Sequence, residues 1–192
     1  MFAAANPMSE FLNPIGFGGV MGLLKNYEAI NPFVSPSTDA LNRLKPGYEA
    51  PVCIVTSLGH RPNDPSRNRT ILAGLVRDVN NPLATRFELR SPNPKSNTYL
   101  VIAASYMAML DGIKAALEAK KTPIELEKSI SKKYGEEDFY LEKNREYRSE
   151  KNVFLDYTAE ERDMLFGHAP ATVWEIIEGF DKYPEKTQAI SC

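Results

Sequence analysis

The spacing of hydrophobic and polar positions changes near residue 95. Before it, short apolar runs are separated by proline, glycine and asparagine turns. After it, stretches rich in Ala, Glu, Lys and Leu carry the three-to-four-residue period of helices. The spacing predicts a first helix over 11–27, with Pro14 near its start, where a missing N–H is tolerated. Gly16, Gly18, Gly19 and Gly22 weaken its helicity but leave a smooth face, and Gly18–Gly22 is read as a packing spacing. A short helix is predicted over 36–44 with Ser35 as its cap. Lys45-Pro46-Gly47-Tyr48 is a turn, 52–57 an apolar strand, 59–66 a loop holding Pro62 and Pro65, and 70–76 a strand closed by an Asn80-Asn81-Pro82 turn. Residues 85–91 alternate strictly, so Thr85, Phe87 and Leu89 share one strand face, and Arg86, Glu88 and Arg90 the other. A long helix capped by Ser96 or Asn97 runs to about 119. In it, Tyr99, Ala103, Tyr106, Met107, Leu110, Ile113 and Leu117 recur at helical spacing. Further helices are predicted from Pro123 to about 134, from the capping box Thr158-x-x-Glu161 to Gly167, and over 171–180, stopped before Pro184. Residues 135–157 read as polar, aromatic and partly irregular.

The pattern makes an α+β chain: a mainly antiparallel, curved sheet half over 1–95, and a helical half over 96–192. Composition adds limits. With 43% hydrophobic residues and 25% charged, the 192-residue chain builds one core, as a single domain or a compact part of one. A net charge of −2 with no basic stripe argues against nucleic acid. Lys120–Lys121 and Lys132–Lys133, diluted by glutamates, read as solvated helix faces. Cys53 sits inside Val52-Cys53-Ile54-Val55 and reads as a core residue, and two cysteines do not make a disulfide framework, which suits a reducing cytoplasm. No apolar run is read as long enough to span a bilayer, and the N-terminus lacks the form of a signal peptide.

Chemistry concentrates on arginine. Successive side chains on the Arg86–Glu88–Arg90 face stand about 7 Å apart. Guanidinium forks suit carboxylate and phosphate, and a carboxylate held between them stays ionised and suits a hard cation. On pattern alone, a solvated face whose charges pair with each other is the simpler account. Ser66-Arg67-Asn68-Arg69 adds arginine on a loop edge, and Arg43 and Arg77 lie near turns and strand ends. Glu49, pinned between Pro46 and Pro51, reads as a placed acid–base group or, more simply, as a turn carboxylate. His60 and His168 have no metal-ligand spacing. Trp174, Ile176, Ile177 and Phe180 read as core. Neither a P-loop nor a G-x-S-x-G element is present.

Taken in order, these pieces resemble the glutamine synthetase family. Arg43-Leu44-Lys45-Pro46-Gly47-Tyr48-Glu49-Ala50-Pro51 is similar to its R-L-x-P-G-Y-E-A-P segment, and Arg67-Asn68-Arg69-Thr70 to its R-N-R-[ST] element. Arg86-Phe87-Glu88-Leu89-Arg90-Ser91-Pro92-Asn93-Pro94, Asn97-Thr98-Tyr99-Leu100 and Leu110-Asp111-Gly112-Ile113 follow the family's next strand and helix. Met1-Phe2-Ala3 and Gly22-Leu23-Leu24-Lys25 also resemble it, and the likeness covers about 1–117.

The resemblance implies the C-terminal part of a catalytic domain that ligates ammonia to L-glutamate at the expense of ATP, through γ-glutamyl phosphate. It implies that Arg43 and Arg90 hold glutamate or its developing γ-glutamyl phosphate, Glu49 closes the site and helps bind or deprotonate ammonium, Arg69 faces the γ-phosphate, Arg86 contacts the nucleotide phosphates, and Glu88 ligates Mg2+ or Mn2+. It also implies a cytoplasmic homo-oligomer. A related glutamate–amine ligase and a non-catalytic anion-binding or subunit-interaction module are the alternatives. Several features depart from the family, among them Ser35 in place of an asparagine and Leu41 in place of a tyrosine. Gly74 stands where a second arginine of the R-N-R-[ST] region is expected, which Arg77 would replace after a shift, and the 62–65 region is inserted. The family's E-x-E strand and N-G-S-x-M-H-x-H segment would lie before Met1, so this chain is expected to be inactive alone.

Overall fold

The computed structural model describes residues 1–42, 52–64, 66–78 and 80–191. Arg43, Glu49 and the Lys45–Tyr48 turn lie outside the described residues. Asn13 opens α1 (Pro14–Lys25), accepting from the Gly16 N–H at 2.8 Å, with Pro14 in the first turn. After Asn26 the chain enters a helix that the sequence pattern did not disclose, α2 (Tyr27–Val34). Pro32 lies inside it and lacks the N–H that would bond the Glu28 carbonyl. Ser35 ends α2 rather than capping the next helix, and α3 (Thr38–Leu41) is capped by Ser37.

The sheet is mixed and mainly antiparallel. Its order is β1 (Thr56–Ser57), β2 (Ala73–Asp78), β3 (Asn81–Leu89), with β1 parallel and β3 antiparallel to β2. The predicted strand at 52–57 shortens to two residues because several segments share its backbone groups. Ile54 N–H reaches Gly167 O, Thr56 N–H reaches Tyr147 O, and Leu72 N–H reaches Val55 O. Between β2 and β3 the pairs are Ala73–Leu89, Gly74–Glu88, Leu75–Phe87 and Val76–Arg86. Opposed residues share a face. Ala73, Leu75, Phe87 and Leu89 therefore turn to the core, and Gly74, Val76, Arg86 and Glu88 turn away from it.

Asn97 caps α4 (Thr98–Glu118), and its side chain accepts from the N–H groups of Tyr99 and Leu100. This helix is long and apolar enough to cross a membrane by length and composition, which the sequence reading missed. Its buried stripe is Ala104, Ala108, Gly112 and Ala116, packed on α1. Glycine is required there: a Cβ on Gly22 would come within 2.1 Å of the Ala108 carbonyl oxygen. Several large side chains of α4 face outward, with Tyr99 84% and Tyr106 64% exposed, while Val101 and Met109 pack against the core. Beyond lie α5 (Pro123–Ile130), α6 (Ala159–Phe166), α7 (Val173–Lys182) and a short α8 (Pro184–Ala189). Capping boxes begin α5, α6 and α7. Trp174 and Ile177 on α7 are exposed, contrary to the core reading, because α7 approaches α2 through Gly179. Lys132 is buried rather than solvated, and its ammonium donates to the carbonyls of Lys143 and Arg145.

Candidate functional site

Three segments meet at one end of the β2–β3 ladder. The first is 66–70, which leads into β2. Its side chains divide the work. Asn68 and Thr70 turn inward: Asn68 donates to the Lys151 carbonyl at 2.8 Å and accepts from the Thr70 N–H at 2.9 Å, and the Thr70 hydroxyl accepts from the Val153 N–H at 3.1 Å. Arg67 and Arg69, between and beside them, are exposed. The second segment is the end of β3, where Arg86 and Glu88 stand exposed on the outer face. Just past it, the Arg90 N–H donates to the Leu72 carbonyl at 2.9 Å, three residues after Arg69. The Arg67–Arg69 loop and Arg90 therefore share an end of the hairpin.

The third segment is the turn after β3. Asn93 N–H and the Ser96 hydroxyl both donate to the Val34 carbonyl, at 2.9 Å and 2.8 Å. Lys95 lies 3.5 Å from Asp39 of α3, an exposed pair that contributes little energy but marks the proximity. The chain leading toward Arg43 is thus held beside the turn that follows Arg90.

A cleft of about 530 Å3 opens at the arginine loop, lined by His60, Arg67, Asn68, Arg69, Glu150 and Asn152, among others. Glu150 was not singled out in the sequence. The only signal was the Arg148-Ser149-Glu150 alternation inside a polar stretch read as irregular. Its carboxylate accepts from the N–H groups of Leu58 at 3.1 Å and Gly59 at 3.0 Å, from Arg148 Nε at 2.9 Å, and from the Ser57 hydroxyl. Burial works against its charge, but the hydrogen bonds from Ser57 and Arg148 outweigh it and hold Glu150 below the ordinary carboxylate range.

Arg77 does not replace the arginine expected at Gly74. It lies on the core side of β2, 7% exposed, and its guanidinium donates to the carbonyls of Pro7, Glu10 and Phe11. Its task is to fasten the N-terminal segment. Gly74 pairs with Glu88 across the ladder, and a Cβ there would press on the Ile71 side chain at 3.3 Å. Among the described residues no group of three or more His, Cys, Asp or Glu side chains is placed to hold a metal ion. Chemically, the outer face of β3 and the 66–70 loop form a cationic surface with one carboxylate, suited to a polyanion.

The family model for the glutamine synthetase catalytic domain matches residues 1–161. The chain is 43% identical over 100 residues to the glutamine synthetase of Rhizobium meliloti strain 1021, covering 52% of this chain and 19% of that protein. It is 38% identical over 116 residues to the glutamine synthetase of Frankia alni, covering 56% of this chain and 23% of that protein. Against the Haemophilus influenzae glutamine synthetase it is 45% identical over 92 residues, covering 48% and 18%. The chain spans about a fifth of the length of the curated relatives it matches.

Proposed function

Since this chain belongs to the glutamine synthetase catalytic-domain family, we propose that it supplies the arginine-rich side of an ATP-dependent glutamate–ammonia ligase site. A glutamate γ-carboxylate oxygen attacks the γ-phosphorus of ATP, and ADP leaves with the bond electrons. Ammonia then attacks the acyl carbon, phosphate leaves, and Glu49 takes the surplus proton. Arg90 and Arg43 hold glutamate. Arg69 and Arg86 offset charge on the phosphates, the main catalytic contribution in phosphoryl transfer. The observation that carries this reading is the placement of Arg86 and Glu88 on the exposed face of β3, with the Arg69 loop at the Arg90 end of the same ladder.

The described residues do not by themselves fit a resident metal ion. Glu88 is proposed as one ligand to Mg2+ or Mn2+, the others coming from the remainder of the catalytic domain. The intact enzyme is proposed to be a cytoplasmic homo-oligomer. The outward apolar face of α4 supports it, because one helix exposing Tyr99, Leu100, Ile102, Tyr106 and Leu117 is unusual without a covering surface.

Isothermal titration of the chain with ATP tests the phosphate role. Arg69→Ala and Arg86→Ala are each expected to weaken binding about fivefold, an effect that shrinks with added salt. Unchanged affinity in both variants overturns the reading.

A further inference from the structure

The loop that presents Arg67 and Arg69 is held from the far half of the chain, and the holding converges on one carboxylate. Glu150 grips the backbone N–H groups of Leu58 and Gly59 directly, and the Ser57 hydroxyl that it accepts from is also paired with the Ser66 hydroxyl. Ser66 in turn accepts from the Asn68 N–H at 3.2 Å. Both ends of the 57–68 segment are therefore tied to Glu150. Behind it, Arg148 donates to the Gly59 carbonyl at 2.8 Å and to the Ser131 hydroxyl at 3.0 Å, lies 3.4 Å from Glu127 of α5, and stacks 4.8 Å from the Phe11 ring centre.

We propose that Glu150 is a positioning residue, which fixes residues 57–59 directly and residues 66–68 through Ser57 and Ser66, so that Arg67 and Arg69 stand preformed to grip a phosphate anion. The proposal rests on the phosphate reading above for what the loop binds. Ordering a flexible loop costs about 1–2 kcal/mol per residue, so a loop ordered before its ligand arrives binds more tightly. Two effects of Glu150 have opposite signs. Its negative charge beside the arginines opposes an incoming anion, and by charge alone its removal strengthens binding. As an anchor, its removal weakens binding. The sign of the change separates the two.

The experiment is calorimetric titration of the chain with inorganic tripolyphosphate, with amide NMR reading Arg67–Thr70 as the site and Leu75 and Phe87 as the fold. Glu150→Gln keeps the volume and removes the charge. It is expected to weaken binding roughly tenfold, to shift the amides of 67–70, and to leave those of Leu75 and Phe87 in place. Ser57→Ala, which cuts the link to Ser66 without touching any charge, is expected to weaken binding in the same direction, and it decides the matter should Glu150→Gln fail to fold. Combined with Arg69→Ala, Glu150→Gln should add less than its separate effect, because the anchor acts through the arginine. Equal or tighter binding in Glu150→Gln, or unchanged binding in Ser57→Ala, while Arg69→Ala is weakened, overturns the positioning role and leaves the phosphate reading standing. Unchanged binding in Arg69→Ala overturns the phosphate reading itself.

Discussion

Four charged side chains close a ring at the residue scale. Arg145 lies 2.8 Å from Glu28 and 3.0 Å from Glu142, and Lys186 lies 3.2 Å from Glu28 and 2.9 Å from Glu142. Lys186 is 1% exposed, and both carboxylates face its ammonium group. Gly167, at a φ of 67°, leaves room for the Arg145 guanidinium, which any Cβ there would strike. The Tyr147 hydroxyl completes the set, donating to Glu142 at 2.7 Å. Burial works against a charged Glu142, but Lys186 and Arg145 outweigh it and hold its pKa down to about 2. A pKa depressed on folding contributes stability above the unfolded value, and that contribution is lost as pH falls through the folded one. The urea midpoint should therefore fall with acid between the ordinary 4.5 and about 2. Glu142→Gln should flatten that part of the profile, and a variant profile parallel to the parent's would refute the assignment. Lys186→Met should cost about 3 kcal/mol, measured by the same unfolding, because it strips a buried partner from both glutamates. None of this ring was legible in the sequence. Its members are separated by up to 158 residues, and no local spacing relates them.

At the scale of elements, the pair α1–α4 shows what a periodic pattern can and cannot tell. Capping residues were readable: Asn97, Thr158 and Glu161 act where their spacing places them. The alternation of residues 85–89 was readable too, since period two in an amphipathic strand fixes which side faces the core. The facing of α4 was not. Its large apolar residues suggested the buried stripe, yet Ala104, Ala108 and Gly112 are inside, because Gly18 and Gly22 bring the helix backbones too close for anything larger. Both helices carry apolar residues on more than one face, so hydrophobicity gave little direction. Gly22→Ala should therefore destabilise by about 2 kcal/mol or more despite alanine's better helix propensity, since a Cβ would lie 2.1 Å from a backbone oxygen. Tyr106→Gln, on the opposite face, should leave the urea midpoint within about 0.5 kcal/mol of the parent. Equal losses in the two variants would reverse the assigned orientation. The hidden helix α2 follows from the same limit: Pro32 argues against a helix locally, while burial of Tyr27, Ile30 and Val34 stabilises one.

For the whole molecule, the two faces that matter chemically point outward. The sheet turns Arg86 and Glu88 to solvent, and α4 turns out several of its large side chains. A cationic surface with a single carboxylate suits a polyanion but does not by itself assemble a divalent-metal centre, which needs several hard oxygen ligands. The chain alone is therefore expected to show no ammonia-dependent ATP hydrolysis, and any such turnover would overturn the shared-site reading. Supplying a polypeptide with the remainder of the catalytic domain should produce a complex that size-exclusion chromatography with light scattering resolves. Tyr106→Glu and Leu110→Glu place charges on the outer face of α4, away from its contact with α1, so they should prevent assembly while leaving the midpoint of the isolated chain nearly unchanged. Assembly that survives both charges would mean that this helix face covers something else, and a dimer of the chain alone that both charges dissolve would assign the face to a second copy of itself.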